Sequence, residues 1–344
     1  MGLTPAAIVD APGAEPRVGT IELPPRMPGS TLVAVIAAPL NPLDLLIASG
    51  GFHSARHEDP YVPGSECVAR VVESDSLAVG ALVYAECRAT PSTPGAFAQH
   101  AVIPDEDLLP LPDGVDPILA AAIGNSGVAA FVPLTEIANV RPGETVLILG
   151  ATGAVGQLAV QIAHRRGAGR VIGVARDTAA LERLLTIGAD AVVELRAHER
   201  VDDLAARLID RVGAVDVLID YLFGPPFEAA LRACAQRARV VNVGNSAGPA
   251  AQLQAGVLRG KQLTITGFAG IHTSLRDKRV ALSWLWTALA LGDLRVEVET
   301  VSLEELPAAW RAQATSPHTK FVVLPGGIPS GAPNPEKTGV HNAA

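Results

Sequence analysis

The run Glu144-Thr-Val-Leu-Ile-Leu-Gly-Ala-Thr-Gly-Ala-Val-Gly156 constrains this chain more than any other stretch. Thr145 to Leu149 is short, apolar and partly β-branched, as expected of a strand buried on both faces of a parallel sheet. It empties into Gly150, Gly153 and Gly156 at three-residue steps. Val155, Leu158, Ala159, Ile162 and Ala163 then recur at i, i+3, i+4, i+7 and i+8, which predicts a helix from Val155 to Arg166 that stops before Gly167. Strand, glycine turn and helix together predict a dinucleotide site. Glycines let the backbone approach a pyrophosphate, and the positive end of the helix faces the anion. The expected cradle is Gly150, Ala151, Thr152, Gly153, Ala154, Val155 and Gly156.

The next strand, Arg170 to Ala175, ends about 20 residues after the turn, where an acidic residue would hold the adenosine ribose of NAD. Here Ala175 is followed by Arg176. A guanidinium on a 2′-phosphate, at about 1.5–3 kcal/mol, favours NADPH by roughly tenfold to a hundredfold. Asp177 is the competing residue, because a shift by one position brings an acid to the ribose.

At 344 residues, with 49% hydrophobic residues and a net charge of −8, the chain has room for two domains and a large core. That balance invites neither nucleic acid nor an anionic membrane surface. The apolar stretch Val280 to Leu291 is too short to span a bilayer. Met1 to Gly13 lacks the pattern of a secretion signal, and Cys67, Cys87 and Cys234 have no paired spacing, so a reducing cytoplasm is expected.

Residues 1–124 read as short β runs cut by Pro and Gly, including Thr31 to Ala38, Cys67 to Glu73, Ala81 to Ala85 and Phe97 to Ile103. This pattern predicts a compact barrel-like domain. Asn41 to Pro63 interrupts it with a brief helical stretch and a polar loop carrying Phe52, His53, His57, Glu58 and Asp59. Residues 125–268 alternate between strands and helices, which predicts a doubly wound parallel sheet of six strands. Its later strand ends bring Asp220, Tyr221, Asn242, Val243, Gly244, Asn245, Gly267 and Phe268 around the nicotinamide half of the cofactor. Residues 269–325 are expected to return to the first domain, with Trp284 and Trp286 in the core or on a dimer surface, and 326–344 to form a disordered tail.

With both halves read, the chain resembles the medium-chain dehydrogenase/reductase superfamily, and most of all its zinc-independent quinone oxidoreductase branch. The resemblance runs from about Ile8 to Pro325. It is carried by Asn41-Pro-x-Asp44, Pro63-Gly-Ser-Glu66, Gly95-Ala-Phe-Ala-Gln, the run from Arg141 to Gly156, Asp216-Val-Leu-Ile-Asp220 and Lys320. It implies an α/β protein with a GroES-like catalytic domain, a Rossmann domain, a cleft between them and a homodimer or tetramer. It also places Lys320 with the cofactor-binding residues. The positions that carry zinc ligands in zinc-dependent relatives hold Asn41 and Ser65, and the remaining candidates, His53, His57, Glu66 and Cys67, have no ligand spacing, so no metal is expected.

Without a Lewis acid, the chemistry expected is reduction of an electron-poor acceptor, a quinone or the activated C=C of an enone. Asn41 is the candidate amide near the nicotinamide or the substrate carbonyl, and Asn125 and Ser126 are further candidates for the cleft. Phe52 stands in the substrate loop where related reductases often carry Tyr, so protonation falls to solvent or to Tyr61, His53 or Tyr221. A dedicated enoyl-thioester or biosynthetic-intermediate reductase, and a non-catalytic NADPH-binding protein, fit the same residues. A two-fold pairing of the strand Leu263 to Phe268 would make the homodimer.

Overall fold

The computed structural model describes residues 2–51, 60–87, 93–315 and 317–327. Phe52, His53, His57, Glu58, Asp59 and residues 328–344 of the expected tail lie outside the described residues. The chain forms two compact units, Met1–Ala122 together with the segment from Glu297 onward, and Ile123–Val296.

The first unit begins with an antiparallel ribbon of β1 (Leu3–Ile8) and β2 (Arg17–Glu22). Then follow β3 (Ser30–Pro39), α1 (Pro42–Ala48), β4 (Glu66–Glu73), β5 (Leu82–Glu86), β6 (His100–Pro104), β7 (Leu108–Pro110) and α2 (Pro117–Ala122). Along β3, buried and half-buried residues alternate, so one face of the strand, with Val33 and Val35, enters the core beside Val71, Val83, Phe97 and Ile103. Pro42 opens α1 at a position where a missing N–H costs nothing.

The second unit contains α3 (Gly124–Val132), β8 (Thr145–Leu149), α4 (Ala154–Arg165), β9 (Arg170–Ala175), α5 (Thr178–Leu184), β10 (Ala191–Glu194), α6 (Val201–Val212), β11 (Val215–Asp220), α7 (Gly224–Ala233), β12 (Cys234–Asn242), α8 (Ala255–Lys261), β13 (Thr264–Gly267) and α9 (Leu275–Ala290). Its six strands pair in the order β10-β9-β8-β11-β12-β13, every neighbour parallel. This is the doubly wound sheet expected from the alternation of runs. Val146, Leu147, Ile148 and Leu149 are fully buried, as a central strand covered on both faces requires.

The chain then adds β14 (Val298–Val301), α10 (Leu306–Ala314) and β15 (Lys320–Val323) to the first unit. The larger sheet there runs β14-β15-β3-β4-β5-β7, with β6 also on β3.

The return therefore begins at Glu297 and not at residue 269. The reason is packing. At Gly127 on α3 an added Cβ would lie 2.7 Å from Leu285 Cδ1 of α9, and the rings of Phe131 and Trp284 stand 5.0 Å apart. Helix α9 is thus part of the second unit, and Trp286 is one of its buried core residues. The helix expected from Phe227 to Gln236 also stops early, at Ala233, because β12 already starts at Cys234. Among the described residues no helix is long and apolar enough to cross a membrane.

Candidate functional site

Strand β8 lies between β9 and β11, and the chain order reverses between β8 and β11. Ligands of open α/β sheets bind at the carboxyl ends of strands at such a switch point. The glycine turn is there. Gly150 has φ +79°, a conformation that favours glycine, and an added Cβ would stand 3.1 Å from Leu222 Cδ2. At Gly156 an added Cβ would be 2.3 Å from the Gly150 carbonyl oxygen and 2.6 Å from Ala151 Cα. Only glycine fits, because α4 packs directly on the turn. Gly153 is the N-cap of α4 and offers no side-chain cap, which leaves the first-turn N–H groups of Ala154, Val155 and Gly156 for an external acceptor. A pyrophosphate fits this cradle.

On one side of the cradle β9 ends at buried Ala175, and Arg176 is exposed with no ion pair among the described residues. Asp177 caps α5, its Oδ1 accepting the Ala180 N–H at 2.8 Å. The acid that competes for the ribose in the sequence is therefore engaged with a helix.

On the other side are the ends of β11, β12 and β13. Asp220 is 0% exposed, and its carboxylate accepts from the Leu222 N–H (2.9 Å), the Phe223 N–H (2.9 Å) and Asn242 Nδ2 (2.8 Å). Burial raises its pKa above the ordinary carboxylate value, and these three donors oppose the rise. Its side chain bonds to the turn that follows β11 and to the end of β12. Asn242 Nδ2 also donates to the Gly244 carbonyl at 2.8 Å, so its amide hydrogens face the protein as well. Tyr221 donates its hydroxyl to the Ala129 carbonyl at 3.2 Å, and burial pushes its phenol upward. Gly244 has no room for a Cβ, which would sit 2.7 Å from the Tyr221 carbonyl oxygen. Val243, Asn245, Gly267 and Phe268 share this end of the sheet, and the Phe268 N–H bonds to the Asn242 carbonyl at 2.9 Å.

The first unit holds a buried polar cluster. Asn41 is 2% exposed: Nδ2 donates to Glu66 Oε1 at 2.8 Å and Oδ1 accepts from Lys320 Nζ at 2.5 Å. The Asn41 N–H donates to Asp44 Oδ2 at 2.8 Å, the return half of a capping box. Tyr84 donates its hydroxyl to Glu66 Oε2 at 2.5 Å. Burial lifts the Asp44 carboxyl to about 7, against the opposing pull of the Asn41 N–H and Ser65. Burial also lowers the Lys320 ammonium from its ordinary range, while Glu66 and Asp44 favour its charged form.

Asn41, read as an amide for substrate or nicotinamide, has its oxygen on Lys320 and an N–H on Glu66. Lys320, placed with the cofactor set by resemblance, is 2% exposed and donates to Asn41 Oδ1. Tyr61 is buried at 3% and bonds to Val9 through its backbone. Phe52 lies outside the described residues. The sequence reading missed Asp44, Glu66 and Tyr84 as parts of one assembly, although Asn-x-x-Asp at a helix start carried the signal for the first. Among the described residues no group of three or more His, Cys, Asp or Glu side chains is placed to hold a metal ion.

Comparison with known proteins agrees with both units. The profile of zinc-binding dehydrogenases matches residues 154–286, and that of the alcohol dehydrogenase GroES-like domain matches residues 27–113. The quinone oxidoreductase of Sus scrofa is 32% identical over 230 residues, 67% of this chain and 68% of that protein. A quinone oxidoreductase-like protein 2 homolog of Nematostella vectensis is 31% identical over 249 residues, 70% of this chain, and the chain spans 65% of that relative's length. In structure, mycobacterial Rv1454c complexed with NADPH superposes with a TM-score of 0.82 at 23% identity, covering 94% of this chain and 100% of the other. With a GroES-like unit, a doubly wound sheet opened by a glycine turn, and relatives of this similarity, the chain belongs to the medium-chain dehydrogenase/reductase superfamily, in its quinone oxidoreductase-like branch.

Proposed function

We propose that this protein is an NADPH-dependent, metal-independent reductase that delivers hydride to a quinone or to the activated C=C bond of an enone. The observation that carries this reading is the glycine cradle flanked by Arg176, an exposed guanidinium without an ion pair among the described residues, while Asp177 caps α5. The first-turn N–H groups of α4 would hold the pyrophosphate, Arg176 the 2′-phosphate, and the ends of β11, β12 and β13 the nicotinamide half. NADPH, when bound, supplies a hydride from C4. The protein's part is to bind and orient the two reactants. The quinone oxidoreductase relatives and the NADPH complex of a structural neighbour support the assignment. We further propose a cytoplasmic homodimer paired through β13, which is the outermost strand of its sheet.

The test is cofactor oxidation at 340 nm by chelator-treated protein, with NADPH and NADH compared against 1,4-benzoquinone, 9,10-phenanthrenequinone and a simple enone. Turnover that survives chelation and prefers NADPH is expected. Loss on chelation overturns metal independence, and preference for NADH overturns the role of Arg176. Silence with every acceptor transfers the assignment to a dedicated enoyl thioester or to binding without turnover.

A further inference from the structure

Phe223 occupies a backbone conformation, φ +56° and ψ −164°, that side chains other than glycine rarely adopt. Such a residue persists only where its surroundings over-determine it. Here two anchors do so. The Asp220 carboxylate accepts the N–H groups of Leu222 and of Phe223 itself, and the Phe223 ring packs on buried Phe227 with centroids 5.0 Å apart.

The turn fixed this way is joined to everything around the switch point. The Asp220 carbonyl accepts from the Val243 and Gly244 N–H groups, and the Leu222 carbonyl accepts from the Ala247 N–H at 2.8 Å. Across the crevice, Gly150 lies against Leu222 and Tyr221, 3.1 and 3.3 Å from its missing Cβ. The turn after β11 therefore abuts the first glycine of the cradle on one side and the turn after β12 on the other. A shift of Phe223 out of its strained conformation moves the segment that lies between them.

We propose that Asp220 and Asn242 are positioning residues for the nicotinamide half of NADPH, acting by holding the Tyr221–Gly224 turn in its strained form without touching the cofactor themselves. This rests on the cofactor reading above and adds a division of labour to it. Arg176 and the glycine cradle set affinity for the adenosine and pyrophosphate portion, and the Asp220 clamp sets the placement of the ring that reacts.

The test compares wild-type protein with Asp220→Ala, Asn242→Ala and the double variant Asp220→Ala/Phe223→Gly. Dissociation constants are measured for adenosine 2′,5′-bisphosphate, which carries only the adenosine half, and for NADPH. The kcat and KM of NADPH oxidation are measured beside them.

Loss of a hydrogen bond to a charged group corresponds to about a tenfold to hundredfold effect. Asp220→Ala is expected to leave the bisphosphate constant within about twofold of wild type, while kcat/KM for NADPH falls about tenfold or more. Glycine accepts positive φ without a clamp, so Phe223→Gly in the Asp220→Ala background is expected to recover part of the loss, short of all because the ring contact is gone. Asn242→Ala, which keeps both backbone bonds to the carboxylate, should show the same pattern more weakly and serves if Asp220→Ala does not fold.

Equal weakening of the bisphosphate and NADPH by either single variant would make Asp220 a residue of general stability and overturn the proposal. So would unchanged kcat and KM, or a double variant no better than Asp220→Ala. If wild-type protein binds neither probe, the cofactor reading itself fails; if it binds both and the variants are flat, only the clamp fails.

Discussion

Lys320 Nζ stands 2.5 Å from Asn41 Oδ1, and the same amide passes its N–H to Glu66, so a buried ammonium and a buried carboxylate are coupled through one neutral side chain. Removing one charge from such an arrangement leaves the other unbalanced. Lys320→Met is expected to destabilise the first unit by about 3–5 kcal/mol in urea denaturation at neutral pH. A loss below about 1 kcal/mol at neutral pH would show that the ammonium does not compensate these acids.

Asp44 gives that cluster a pH dependence of known sign. Its folded value, about 7, is above the ordinary 3.8, so the folded state holds a proton that the unfolded state releases. Stability from this group is present below pH 3.8 and is lost as pH rises to about 7, by on the order of 4 kcal/mol in total. Asp44→Asn keeps an acceptor for the Asn41 N–H and removes the titration. Chemical denaturation from pH 4.5 to 8 should therefore show wild type losing ground to Asp44→Asn as pH rises. A constant difference across that window would mean that Asp44 does not titrate there.

Two glycines of one turn should respond differently to the same methyl group. Gly156→Ala forces a Cβ to within 2.3 Å of the Gly150 carbonyl, and a loss of about 1–3 kcal/mol in stability with loss of NADPH binding is expected. At Gly153 the nearest atom is 3.6 Å away, an ordinary contact, so Gly153→Ala should leave thermal unfolding within about 0.5 kcal/mol of wild type. Calorimetry of the pair decides whether close packing of α4 on the turn is the constraint.

Arg176→Ala should raise KM for NADPH by roughly tenfold to a hundredfold and leave the NADH value unchanged, because only the former offers a 2′-phosphate. A parallel rise for both cofactors in steady-state kinetics would move the guanidinium's role away from that phosphate.

Much of the second unit was legible because each parallel strand is a local signal. Thr145–Leu149, Arg170–Ala175, Ala191–Glu194 and Val215–Asp220 are continuous apolar runs with clear ends, and they occur as read. Strands β1 and β2 were not legible, since Pro5 and Gly19 break the alternation that marks a half-buried strand.

The direction of Asp220 was hidden for a related reason. In a strand covered on both faces, alternation does not say which way a terminal side chain turns. The Asn41, Asp44, Glu66, Tyr84 and Lys320 cluster was hidden by distance, because its members belong to α1, β4, β5 and β15 and no periodicity links them.

The wide separation of Asn41 and Lys320 has a consequence for how the protein comes off the ribosome. Lys320 follows Asn41 by 279 residues, and between them the whole second unit is made. At ordinary translation speeds that is a wait of roughly fifteen to sixty seconds. During it, Asp44 and Glu66 have been synthesised but the ammonium that balances them has not, and β3 lacks β15 as its partner on one side. The nucleotide unit, with all its strands and helices in one continuous stretch, can close as soon as it emerges. The unit begun first is finished last, and its final strand carries the charge that completes its interior.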